Sequence, residues 1–390
     1  MHITFKISRE ALNKPNPVMA SKVARSRWLT KSQSSGSPRP FVARDDRLVK
    51  CFPGILPIRI KSRAKYLKGF RSCICRSGAI IAVNRLKLPT LIFTCVRFLI
   101  CLPFSLAQAG ELNVTYGLGE RKDAMSWAVA TDLVGTPPNI MSELSWRNLR
   151  GWEHNFGLKY IGSAGWMAHA DLQMARFDRG GQVQDSDYYY DNRNGEYSRS
   201  LNATRGSAAQ DITLLIGRRF YMDENTTLAI SPAIGLSRNI SDLRNNNGVQ
   251  VIPASGPYPN LDSRYRAQFS SLLAGAETRW WFAQPFGLDL KWHRHWFNYH
   301  AEADWNLRTD FQHPVSFYQD GHGVDNRWSL GLLTCLNKEW TMELAFGRRN
   351  GSMQNGLHVA NLADGTRQST LLRNVEWSSS STSLVMHRTF

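Results

Sequence analysis

The chain has 390 residues and a formal charge of +17, a balance that invites a nucleic-acid partner. Dividing it removes that reading: 21 of the 48 Lys/Arg and three of the 31 acids precede residue 110, which leaves 27 against 28 and a net of −1 beyond it. Cys51, Cys73, Cys75, Cys95 and Cys101 fall in the same early stretch, so the remainder, holding Cys335 alone, has no disulfide framework. Cys73-Ile-Cys75 lacks the spacing and second ligand pair of a metal site, and no metal is expected.

Residues 1–82 are rich in Arg, Lys, Ser and Pro with no sustained period. They read as a start called too early or as a disordered basic leader, and stand apart from the fold. The segment 83–109 reads as a secretory signal. Arg85, Lys87 and Arg97 supply the positive region, Phe98 to Leu106 is a nine-residue apolar stretch, and Ala107-Gln-Ala109 fits a cleavage site. Pro89 and Pro103 argue against a buried helix there.

From Gly110 to Phe390 no run of eighteen apolar residues occurs, so no transmembrane helix is expected. A closed barrel is the other way to span a bilayer, because every backbone group must find a partner inside the hydrocarbon. Its signature is alternating segments of about ten residues, aromatic girdles, and turns that are alternately short and long. Alternation shows at Leu228, Ile230, Pro232, Ile234 and Leu236, and again at Trp292, Arg294 and Trp296 between polar neighbours. Twelve of the 13 Trp lie beyond residue 110, as girdles require. Short connectors near Gly162, at Met222-Asp-Glu-Asn, Ala283-Gln-Pro and Leu336-Asn-Lys separate long polar segments at 120–141, 179–209, 241–263, 306–315 and 350–367. Five long loops and four short turns predict an all-β, ten-stranded antiparallel transmembrane β-barrel over 110–390 in the bacterial outer membrane. The chain ends on an alternating strand, Leu384-Val-Met386-His-Arg388-Thr-Phe390, as barrels recognised for outer-membrane assembly do. A soluble sandwich would explain the alternation but not the signal, the Trp content and the closing Phe together.

The passage that carries chemistry is Arg179-Gly-Gly-Gln-Val-Gln-Asp185-Ser-Asp187-Tyr188. Carboxylates at i and i+2 on an extended chain project to one side. Held close, each raises the other's pKa, so the pair can share a proton and activate water. No P-loop, complete dinucleotide fingerprint or serine nucleophile elbow occurs.

This stretch resembles the omptin family of outer-membrane proteases. The family pattern Gly-Gly-x-(Met/Val)-x-Asp-x-Asp-aromatic is met from Gly180 to Tyr188. Ser142-Glu-Leu-Ser-Trp146 and Gly162-Ser-Ala-Gly-Trp166 are similar to two further omptin stretches. The resemblance implies ten strands rising well above the membrane to an open groove. There a water held between an Asp pair and an Asp-His dyad attacks a peptide bond without a covalent intermediate. Asp185 and Asp187 would be the pair. The dyad position falls on Asp304 with Asn306 in place of histidine, and the literal Asp-x-His nearby is Asp320-Gly-His322, with His300 and His313 close in sequence. The resemblance further implies polypeptide substrates with basic residues, held by carboxylates at Glu302 and Asp123. It also implies dependence on lipopolysaccharide bound through Arg238 and Arg266, although Ile234 and Leu236 replace the expected Tyr and Glu. The alternative is a catalytically inactive barrel of the same fold acting as an adhesin or structural protein. A diffusion porin is disfavoured by the narrowness of ten strands.

Overall fold

A computed structural model describes residues 110–222, 227–257 and 259–390; the expected leader and signal segment, and most of the connector after Met222, lie outside them. The elements are β1 (Gly110–Val129), β2 (Ser142–Gly162), β3 (Trp166–Phe177), β4 (Gln182–Tyr190), β5 (Asn194–Ala203), β6 (Ser207–Arg218), β7 (Phe220–Tyr221), β8 (Leu228–Ile252), β9 (Gly256–Pro257), β10 (Asp262–Ala283), β11 (Phe286–Asp304), β12 (Phe317–Cys335), β13 (Trp340–Asn361) and β14 (Arg367–Thr389). All pairings are antiparallel, and β1 bonds to both β2 and β14, which closes the sheet. Ten wall positions result. Two of them are split: β3 and β4 lie end to end along β2, and β6 and β5 lie end to end along β8. No helix among the described residues is long and apolar enough to cross a membrane.

Strand period decides what faces where. On β10 the odd residues Tyr265, Ala267, Phe269, Ser271 and Leu273 are buried inside, while Leu272 between them is 59% exposed. Outward Leu214, Ile216, Ile234, Leu236, Leu330 and Leu332 make an apolar belt. Trp166, Trp280 and Phe286 edge it near the short turns, and Trp292, Trp296 and Trp328 edge it above. Such a band is about 25 Å tall. A 25-residue strand such as β8 is roughly 80 Å long at 3.3 Å per residue, so the wall continues far beyond the belt.

That continuation corrects four of the five expected long loops. Much of 120–141, 179–209, 241–263 and 350–367 is strand, and only 306–315 is loop throughout apart from one isolated bridge at Phe311. Above the membrane the outer face meets water, so polar outward residues there imitate loop composition. The motif glycines acquire a role at the split in the third wall position. Gly180 and Gly181 take φ of 95° and 119°, and a Cβ on Gly181 would meet Thr204 Oγ1 at 2.4 Å. They lie between β3 and β4, and β4 begins at Gln182, three residues before Asp185.

The lower interior is filled by charge. Arg121 bonds Asp123 at 2.8 Å and Asp211 at 2.6 Å, and Arg349 bonds Asp211 at 2.9 Å and Asp325 at 2.8 Å. The space among Arg121, Glu153, Asp211 and Arg349 is about 30 Å³, room for one water. Higher up, aromatics replace ions: Trp146, Tyr265, Phe177 and Phe269 are the largest fully buried side chains.

Candidate active site at the barrel mouth

Register against β2 fixes the Asp pair. Asp185 lies opposite Leu144, Val183 opposite Trp146, and these three apolar partners are fully buried in the interior. Asp185 and Asp187, on the same side of β4 as Val183, therefore face inward above the aromatic core. Ser142 on β2 and Ser198 on β5 flank Asp187 directly, and their hydroxyls donate to its carboxylate. Asp185 has no such donors. Burial and the neighbouring Asp187 push its carboxyl up to about 8, against a smaller pull from Arg308. Burial raises Asp187 as well, but the two serine hydroxyls and Arg308 oppose the rise. The serine donors thus favour the negative charge on Asp187, in a pair whose two carboxyls are both raised by burial.

Tyr189 and Tyr197 stand above the pair, their rings stacked at 4.1 Å and partly open to solvent. Burial, then Asp187, pushes the Tyr197 hydroxyl up to about 12. The floor is Trp146 stacked on Tyr265 at 5.0 Å, with Trp127 against Phe317 at 5.7 Å. Gln319 accepts from Tyr265 at 2.7 Å and its amide donates to His358 Nδ1 at 3.2 Å. His358 is half-buried against Phe317, at 4.8 Å between rings, and burial alone lowers it to about 4.

The remaining predicted residues do not converge on the pair. Asp320 and His322 sit on the outward face of β12, where Gln319 and Asp325 point in, and Asp320 bonds His300 Nδ1 at 2.7 Å rather than His322. His300 also meets Glu302 at 3.5 Å, which puts Glu302 on the outer wall as well. Asp123 is locked to Arg121 inside the barrel. Asp304 does hold a histidine, His313, at 2.6 Å, while the other ring nitrogen of His313 donates to the Arg308 carbonyl at 3.2 Å. Asn306 accepts from Asp262 N and Ser263 Oγ and donates to the Asn260 carbonyl, so it stitches two rim loops together. Arg238 and Arg266 are exposed on the outer face of neighbouring strands, Arg238 donating to Gln268. Exposed Ile234 and Leu236 lie below Arg238 in place of polar partners.

Sequence reasoning missed Arg308 and His358. Arg308 lies in a loop without a motif. His358 faces inward only because a bulge at 354–356, with Asn355 at φ 56°, reverses the alternation of β13. A hollow of about 1100 Å³ lies elsewhere, a furrow on the outer wall lined by Ser126, Gln184, Arg294, Asn326, Asn350 and Glu376 among others. It touches β4 on the face opposite the Asp pair, so it is not the site of the pair.

A closed ring with an apolar belt, aromatic edges and a plugged interior defines an outer-membrane β-barrel. The sequence model of the family described as Pom, Protochlamydia outer membrane protein, matches residues 115–390, and the chain belongs to that family. Among solved structures it is similar in fold to the outer membrane protease OmpT from Escherichia coli, with a TM-score of 0.60 at 12% identity, covering 72% of this chain and 97% of that one. Weaker likenesses include OprG from Pseudomonas aeruginosa (TM-score 0.29, 10% identity, 72% and 96% covered) and the NalP translocator domain from Neisseria meningitidis (0.29, 9%, 77% and 96%). No curated protein sequence matches.

Proposed function

We propose that this barrel is an outer-membrane endopeptidase of omptin type that cleaves next to basic residues with a water activated by Asp185 and Asp187. The observation that carries the reading is the pair itself, two inward carboxylates on one strand at the mouth, the second flanked by two serine hydroxyls. Asp187, whose charge the two serine hydroxyls favour, takes a proton from water as the water oxygen attacks the peptide carbonyl. Protonated Asp185 hydrogen-bonds the carbonyl oxygen as charge develops there. The C–N bond then breaks and the leaving amine takes the proton from Asp187, so one water is consumed and nothing is bound covalently. Neither Glu302 nor Asp123 lies where it could receive a basic side chain beside the pair, so the stacked Tyr189 and Tyr197 are the better receptor, through cation–π contact. Arg238 and Arg266 are the groups that would hold phosphates of lipopolysaccharide against the outer wall, ordering the barrel rather than entering the chemistry.

A second reading, an inactive barrel acting as an adhesin or structural protein, is favoured by one observation. Both ring nitrogens of His313 are engaged and Asn306 is structural, so neither residue at the expected dyad position is free to share the water. The test is cleavage of a library of peptides with paired Lys/Arg by refolded protein supplied with lipopolysaccharide. Cleavage beside basic residues is expected. An enzyme preparation that leaves the whole library intact sinks the protease and leaves the inactive barrel.

A further inference from the structure

The loop between β11 and β12 is held rigidly over the mouth. Trp305 O accepts from Arg308 N at 2.9 Å, Arg308 O from Phe311 N at 3.1 Å, and Asn361 O from Gln312 N at 2.8 Å. Trp305 and Phe311 pack on the aromatic core that also underlies β4. β12 stands five wall positions round the ring from β4, the opposite side. The Arg308 guanidinium is fixed in turn: Nε and Nη2 bond Asp310 at 2.8 and 2.6 Å, and its plane lies 4.4 Å from the Phe311 ring. This leaves Nη1 without a partner in that fork. Its charge acts on Asp185, Asp187 and Tyr197 alike.

We propose that Arg308 is a catalytic residue of this site, its guanidinium holding the oxyanion formed when water attacks the peptide carbonyl over Asp185 and Asp187. The assignment rests on the endopeptidase reading. It also explains how the site works without a dyad histidine. A histidine opposite an Asp pair would orient the water and offer positive charge; here Asp187 orients the water, and the fixed charge comes from Arg308. A preorganised cation costs no reorganisation as charge develops, and removing one such donor typically lowers kcat by about 10²-fold or more. Its clamp by Asp310 and Phe311 is what such preorganisation needs, because a free surface arginine would sample many rotamers.

Arg308→Ala is therefore expected to lower kcat about 10²-fold with KM changed little. Guanidinium ion added at millimolar concentration should restore part of the loss, and Arg308→Lys should retain part of the activity. The acidic limb of the pH profile should also move to higher pH, since the cation that lowers both carboxyls is gone. A merely structural role predicts neither the rescue nor the moved limb. If wild-type protein is active and Arg308→Ala matches it, or loses activity with no rescue and no moved limb while still shifting on boiling, this assignment is overturned and the endopeptidase stands. If wild-type protein cleaves nothing, both are overturned.

Discussion

At the scale of single residues, Asp185 ties stability to the proposed chemistry. The folded carboxyl keeps its proton up to about 8, whereas an unfolded one releases it near 4. Between those values the folded state binds more protons, so the stabilising contribution is full below about pH 4 and is lost as pH rises through about 8. We predict that Asp185→Asn raises the temperature at which the barrel opens in SDS at pH 9 and leaves it nearly unchanged at pH 4. An equal shift at both would mean the carboxyl is not held protonated by the fold. The wild type keeps a group that destabilises it at alkaline pH, as functional sites commonly do.

At the scale of elements, the upper barrel depends on its aromatic packing. Phe269 contacts Phe297, Tyr299 and Trp377 with centroids 5.2, 5.1 and 4.9 Å apart. Phe269→Ala should cost about 3–5 kcal/mol, as deleting a buried ring typically does. Urea unfolding in detergent would measure it; a loss below 1 kcal/mol would show that this core is not close-packed. The elements also show what was legible beforehand. Ten strands and the short turns at Gly162, Gln284-Pro285 and Asn337 follow from period and turn chemistry, and period puts Asp185 and Asp187 on one side, but a place at the mouth was implied by the resemblance alone. The extent of the strands did not follow, since outward polar residues above the membrane read as loop. The pairing of Asp304 with His313 spans nine residues of loop, and His358 needs a bulge to turn inward. No local spacing encodes either.

At the scale of the molecule, closure governs behaviour. With every wall strand paired on both sides, unheated protein is expected to resist SDS and migrate differently from boiled protein. Identical mobility would argue against the barrel. The 83–109 segment is expected to be removed on export, so that N-terminal sequencing of the outer-membrane band begins at Gly110; a band that retains 1–82 would contradict this. The charge-filled interior further predicts little conductance in planar bilayers, because Arg121, Asp211 and Arg349 are ion-paired across it around a space of about 30 Å³.

The central claim is that the Asp pair does the chemistry on a scaffold that does not need it. Peptide cleavage by Asp187→Asn and Asp185→Asn, each first shown to shift on boiling like the wild type, tests that most directly. The account predicts a kcat loss of about 10²-fold or more for each single change, with the double change little worse, since the two act as one unit. Full activity in a folded Asp187→Asn protein would contradict it.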